Sequence, residues 1–218
     1  MQRFQTTVRL EVQHRTAVTS RQRHRTAHLR QGDLTAACGP LALLMGLIVL
    51  GVVTKTEART LPWEAETVRL AKLWQGMQER FFAGSDLTDL LALLRFMEPR
   101  VRHRSVTGGM RRVLAFTQER LAENDLVVLG FGDKGATGPR HWALAVGTET
   151  TVTGSKSAFT SVLCLDAAEV APTIIPFNAR LELDSPRRGA GQLHYRGADG
   201  RSLLVTCSSA IALSTRAT

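Results

Sequence analysis

The sequence predicts an α+β fold with its helices first and an antiparallel sheet second, and three observations carry that reading. Apolar residues recur at helical spacing between residues 38 and 124. From Asp125 onward the pattern changes to short apolar or alternating runs. Those runs are joined by connections too short for a crossover, which makes neighbouring strands antiparallel. With 218 residues and 44% hydrophobic content, the chain can bury one sizeable core.

At the N-terminus, "TTVRLEVQ" (6–13) alternates apolar and polar residues as an edge strand does. Residues 1–30 hold Arg3, Arg9, Arg15, Arg21, Arg23, Arg25 and Arg30 against Glu11 alone, so most of the net charge of +9 is local. They read as a basic N-terminal arm ahead of a single domain over 31–218. The arginines of "TSRQRHRTAHLR" are interleaved with His and Gln and no aromatic residue, so the stacking platform that single-stranded nucleic acid needs is missing. The arm is expected to be a solvated face with at most a weak polyanion contact.

In "QGDLTAACGPLALLMGLIVLG" (31–51), Pro40 suits the first turn of a helix entered at Cys38 and Gly39. The residues that follow are apolar on every side, so the helix should be enclosed. The 13 residues from Leu41 to Val53 fall short of the roughly 20 that span a bilayer, which leaves a core helix and no membrane span. Further helices are expected over 62–82, with Val68, Leu70, Leu73, Trp74 and Met77 facing the core, over 85–98 with Ser85 as N-cap, and over 109–124. Strands are expected over 126–131, 141–147, 160–166, 173–183, 191–196 and 202–207, the last two joined by a turn at Gly197-Ala198-Asp199-Gly200. "TGSKS" (153–157) reads as a loop tip, and 99–109 and 184–191 read as loops.

Three cysteines, Cys38, Cys164 and Cys207, stand far apart, odd in number and without CxxC spacing, which argues against a disulfide framework or a zinc site. No dense His, Cys or carboxylate cluster and no P-loop spacing is present, so no cofactor is expected. Free thiols and the lack of an apolar segment behind the N-terminal charges point to a cytoplasmic protein, or one delivered to a target cell without a signal peptide.

A thiol at a helix N-terminus meets the positive end of the macrodipole, which favours the thiolate, so Cys38 is the candidate nucleophile. It needs a base. His14, His24 and His28 lie in the basic arm, His103 in the charged "RVRHR", and His194 in "QLHYR" reads as a sheet-surface residue. His141 begins an apolar strand behind the Gly-rich "GDKGATGPR", which leaves its ring at the open end of a sheet. If strands 141–147 and 160–166 form a hairpin centred near 153.5, position 141 pairs with Asp166, a carboxylate suited to orient an imidazole. Gln31 and the Cys38 backbone N–H are candidate donors to an oxyanion. Cys164 and Cys207 read as buried strand residues, and Trp142 suits sheet packing as well as substrate contact.

Gln, then Cys-Gly-Pro heading an apolar helix, then "HWALAVG" and "CLDA" in that order resembles the papain-like cysteine peptidases, and among them the bacterial C39-like group. The similarity covers about residues 31–170. It implies a papain-like fold, its helical half carrying the nucleophile and packed on an antiparallel sheet. It also implies Cys38 as nucleophile, His141 as base and then acid, Asp166 as orienting residue and Gln31 as oxyanion donor. One departure is that Gln31 precedes Cys38 by seven residues where the family has six, and Ala37 stands where it has an acidic or polar residue. The expected activity is hydrolysis of a protein or peptide substrate through a thioester. The same apparatus serves a protein glutamine deamidase or an acyltransferase, and a vestigial triad would leave a peptide- or polyanion-binding module.

Overall fold

The computed structural model describes residues 2–7, 10–13, 16–19, 22–32, 36–134, 138–153, 155–183 and 192–216. Strands β1 (Gln2–Thr6), β2 (Leu10–Gln13), β3 (Thr16–Thr19) and β4 (Gln22–Thr26) come first. The strand expected over 6–13 thus divides in two, and β2, β3 and β4 form a small antiparallel sheet of their own. His14 and the loop 184–191 lie outside the described residues.

The helices follow. Helix α1 (Cys38–Val49) buries every residue except Leu41, as its all-round apolar sequence requires. Helix α2 (Lys55–Thr60) starts in a capping box between Thr54 and Glu57. The helix expected over 62–82 is shorter and broken: Thr67 caps α3 (Val68–Gln78), and α4 (Arg80–Ala83) follows as a separate turn. Val68, expected in the core, is exposed, because it opens the helix ahead of the buried stripe Leu70, Leu73 and Met77. In α5 (Leu87–Arg95) the cap is Asp86 rather than Ser85, and Asp86 and Asp89 form a reciprocal capping box.

Residues expected to be a loop form β5 (Val101–Thr107), an edge strand paired to the chain's last strand. Its charged side chains face outward, which protects an open edge and hides the strand from an apolar-periodicity reading. Helix α6 (Met110–Ala122) follows. The remaining strands are β6 (Leu126–Gly132), β7 (His141–Thr153), β8 (Lys156–Leu165), β9 (Ala179–Glu182), β10 (Leu193–Gly197) and β11 (Ser202–Thr215). Only the end of the segment 173–183 is strand, while β11 runs eight residues beyond Cys207.

This is an α+β protein whose sheet closes on itself. The order β7-β6-β11-β10-β9-β8 returns to β7 through the β7–β8 ladder, giving a six-stranded antiparallel barrel. β1 joins β7 and β5 joins β11 outside the ring. Closure sorts the alternating side chains into two cores. Leu126, Val128, Trp142, Leu144, Leu163, Leu165, Ile211 and Leu213 face α1 and the helical layer. Val127, Leu129, Phe131, Ala143, Ala145, Cys164, Leu181, Tyr195 and Cys207 face the barrel interior, where Val113 and Leu114 of α6 join them. Cys164 and Cys207 are free and buried there; burial pushes the Cys207 thiol up to about 12 and raises that of Cys164.

Candidate active site

Cys38 is the first residue of α1. Ala37 supplies no side-chain cap and the first turn of the helix holds no acid, so nothing within that turn offsets the positive helix end at the thiol. Gly39 lets this end sit close: a Cβ there would lie 3.1 Å from both Ser85 Cβ and Trp142 Cδ1. Trp142 is buried and donates its indole N–H to the Ser85 carbonyl at 2.8 Å, tying the segment before α5 to β7. The indole is packing.

His141 is the first residue of β7, paired with Phe131 and packed edge-on against its ring. Its Nε2 donates to Asp166 Oδ2 at 2.7 Å, with the imidazole one-quarter exposed and the carboxylate fully buried. The hairpin register differs from the expected one. The ladder runs from Thr153↔Lys156 to Leu144↔Leu165, and two bulges of opposite sense cancel between its ends. Extended to His141 it points at position 168, two residues past Asp166. A slip of two keeps the side chain on the same face, so Asp166 reaches His141 diagonally from just beyond the end of β8.

A dense set of hydrogen bonds holds Asp166. Its backbone N–H donates to Asn178 Oδ1 at 2.7 Å, and its carbonyl accepts from Asn178 Nδ2 at 2.9 Å and from His28 Nε2 at 2.8 Å. Oδ1 accepts the Ala168 N–H at 2.9 Å, and Oδ2 accepts the Tyr195 hydroxyl at 2.6 Å beside His141. His28, expected on a solvated arm, is therefore buried against the candidate site, with Nε2 protonated because a carbonyl can only accept. Burial lowers its proton affinity and keeps it neutral. Lys55 donates to the His28 carbonyl at 3.1 Å, and the Gln31 N–H donates to the Ala167 carbonyl at 2.7 Å, so residues 28–31 run as a strap over the Asp166 loop.

Burial alone would pull the His141 imidazolium down. The hydrogen bonds to Asp166 and to Cys38, with the attraction to both, outweigh it and push the group up to about 10. Burial pushes the Asp166 carboxyl up, and the donors His141, Tyr195 and Ala168 overcome it and hold the group below the usual carboxylate range. Since Nε2 is engaged by Asp166, the ring nitrogen facing Cys38 is Nδ1.

Gln31, Cys38 and His141 line one cleft of about 670 Å³, together with Gly84, Ser85, Arg80 and Arg140. The four residues singled out from the sequence are therefore brought together. His28, Asn178, Tyr195 and the buried Glu169 were missed, although the inward phase of Tyr195 beside Leu193 in an alternating strand was a usable signal. His194, expected on the sheet surface, is buried with Nδ1 3.7 Å from Glu182.

Compared with known proteins, the chain matches no protein-family model and no curated sequence. Among the described residues no group of three or more His, Cys, Asp or Glu is arranged to hold a metal ion, and no helix is long and apolar enough to cross a membrane.

Proposed function

We propose that the chain is a papain-like cysteine peptidase of the C39-like type, with Cys38, His141 and Asp166 as its triad. The observation that carries this reading is a thiol at a buried helix's N-terminus sharing a cleft with an imidazole locked 2.7 Å from a buried carboxylate. The division of labour supports it as well: the helical layer supplies Cys38, and the barrel supplies His141 from β7 and Asp166 from just beyond β8.

In this mechanism the Cys38 thiolate attacks an amide carbonyl, and the oxyanion is met by the Cys38 N–H, which has no acceptor within the helix, and by the Gln31 amide. The imidazolium gives its Nδ1 proton to the leaving amine as the carbon–nitrogen bond breaks. His141 then takes a proton from water, whose oxygen attacks the thioester; the carbon–sulfur bond breaks, the acid leaves, and the thiolate–imidazolium pair is restored. Asp166 fixes the ring and stabilises its charged form, and being fully buried it does so without competition from water.

The test is the rate of Cys38 alkylation by iodoacetamide against pH, in the wild type and in His141→Ala. The expected wild-type profile is a plateau extending well below about 8.5, the range of a free thiol, and it is lost in the variant. A profile that titrates like a free thiol sinks the reading. Mass spectrometry of a protein incubated with the wild type reads the reaction: new termini are expected, whereas a gain of about one dalton without cleavage would mean deamidation.

A further inference from the structure

Behind Asp166, inside the barrel, stand two polar groups that the triad does not use. Tyr195 projects from β10 into the interior core and is buried. Its hydroxyl lies 2.6 Å from Asp166 Oδ2, the oxygen that also receives His141, and 3.2 Å from Glu169 Oε1. Glu169 is fully buried, and its Oε2 accepts the Asp199 N–H at 3.1 Å. The bare backbone of Gly197 makes room for its carboxyl, since a Cβ there would collide with both oxygens.

Counting protons decides what this arrangement is. A tyrosine hydroxyl has one proton, and at 2.6 Å from an ionised carboxylate it goes to Asp166. Glu169 has an acceptor of its own for a proton, the Asp199 carboxylate, with which its side chain shares a hydrogen bond. Were Glu169 ionised, two buried negative groups would flank one hydroxyl, and no cation pairs with Glu169 among the described residues. We propose that Glu169 is held as a neutral acid, which cannot compete for the tyrosine proton and so leaves it committed to Asp166, making both positioning residues for His141. This rests on the peptidase reading above. Burial raises the Glu169 carboxyl, and burial together with the Asp166 charge raises the Tyr195 hydroxyl, and both shifts favour the protonated forms. The other groups facing this chain are His141 and Cys38 across Asp166, Cys164 beside Tyr195, Asp199 beside Glu169 with Arg201 behind it, and His28 with Lys55 and Arg30 on the strap.

The experiment is the same iodoacetamide profile in Tyr195→Phe and Glu169→Gln, with thermal melts to verify folding. Without the hydroxyl, Asp166 keeps only His141 and Ala168 as carboxylate donors, so it becomes more basic. It then also neutralises more of the imidazolium charge felt at Cys38. Both effects move the acid limb of the profile upward, by about one pH unit. Glu169→Gln presents an N–H donor and a carbonyl acceptor in the shape of the neutral acid, and its profile is expected to superimpose on the wild type. A Tyr195→Phe limb that stays at the wild-type position, or a Glu169→Gln limb that moves as far as that expected shift, overturns the proposal. Should Tyr195→Phe fail to fold, Glu169→Gln carries the test alone, because removing an ionised Glu169 would move the limb and overturn the proposal. A wild type without a thiolate plateau overturns the peptidase reading and this inference with it.

Discussion

Asp166→Ala is expected to lose roughly 3–5 kcal/mol of stability, because it strands a partly buried imidazolium and leaves the buried Tyr195 hydroxyl and the Ala168 N–H without their acceptor. Asp166→Asn keeps the shape and most of the stability but removes the charge, and turnover is expected to fall by about 10⁴-fold. The pair also sets a pH dependence. Asp166 is held below its ordinary range, so its contribution is present above about pH 4 and is lost as the pH falls through its folded value. His141 is raised from 6.5 to about 10, so its contribution is full below pH 6.5 and is lost as the pH rises towards 10. The stability gap between wild type and Asp166→Asn is therefore widest between about pH 4 and 6.5 and narrows on either side. Urea unfolding at pH 5.5, 8 and 10 measures it, and a gap that grows towards alkaline pH would contradict the ion pair.

Trp142→Ala is expected to cost about 3–5 kcal/mol through the cavity left in the core between β7, α1 and α5. Trp142→Phe fills most of that space and loses chiefly the hydrogen bond to the Ser85 carbonyl, at a cost of about 1–2 kcal/mol. Neither change touches the contact between His141 and Asp166. In Trp142→Phe the midpoint of the alkylation profile is therefore expected to stay in place, while KM for a peptide substrate rises as the Gly84–Ser85 wall of the cleft is released. Chemical denaturation gives the first number and a steady-state assay the second. A shifted alkylation midpoint would mean that the indole holds His141 as well as the wall.

What the sequence made legible was chemistry with local signals. Cys-Gly-Pro announced the buried helix and the thiol at its start, and the apolar runs that begin at His141 and end before Asp166 announced two neighbouring strands. The pairing was misjudged by two residues, yet Asp166 still reaches His141, because parity along a strand decides which face a side chain occupies. β5 was missed because its apolar residues are outnumbered by outward charges, the signature of a protected edge. Val68 followed the helical period but sits in the first turn, where α3 has not yet met its neighbours. His28 had no local signal at all: its partner lies 138 residues away, and nothing in an arginine-rich stretch marks one histidine as the buried one.

That separation has a consequence for synthesis. A nascent chain that has emerged only as far as β7 carries the thiol and the imidazole, but not Asp166, nor Asn178 and Tyr195, which hold it. The strap at residues 28–31 waits for a loop made more than a hundred residues later. Loop closure over such a span comes late in folding. On the peptidase reading, a product truncated before Asp166 therefore lacks the group that orients His141, and its Cys38 is expected to alkylate as a free thiol does.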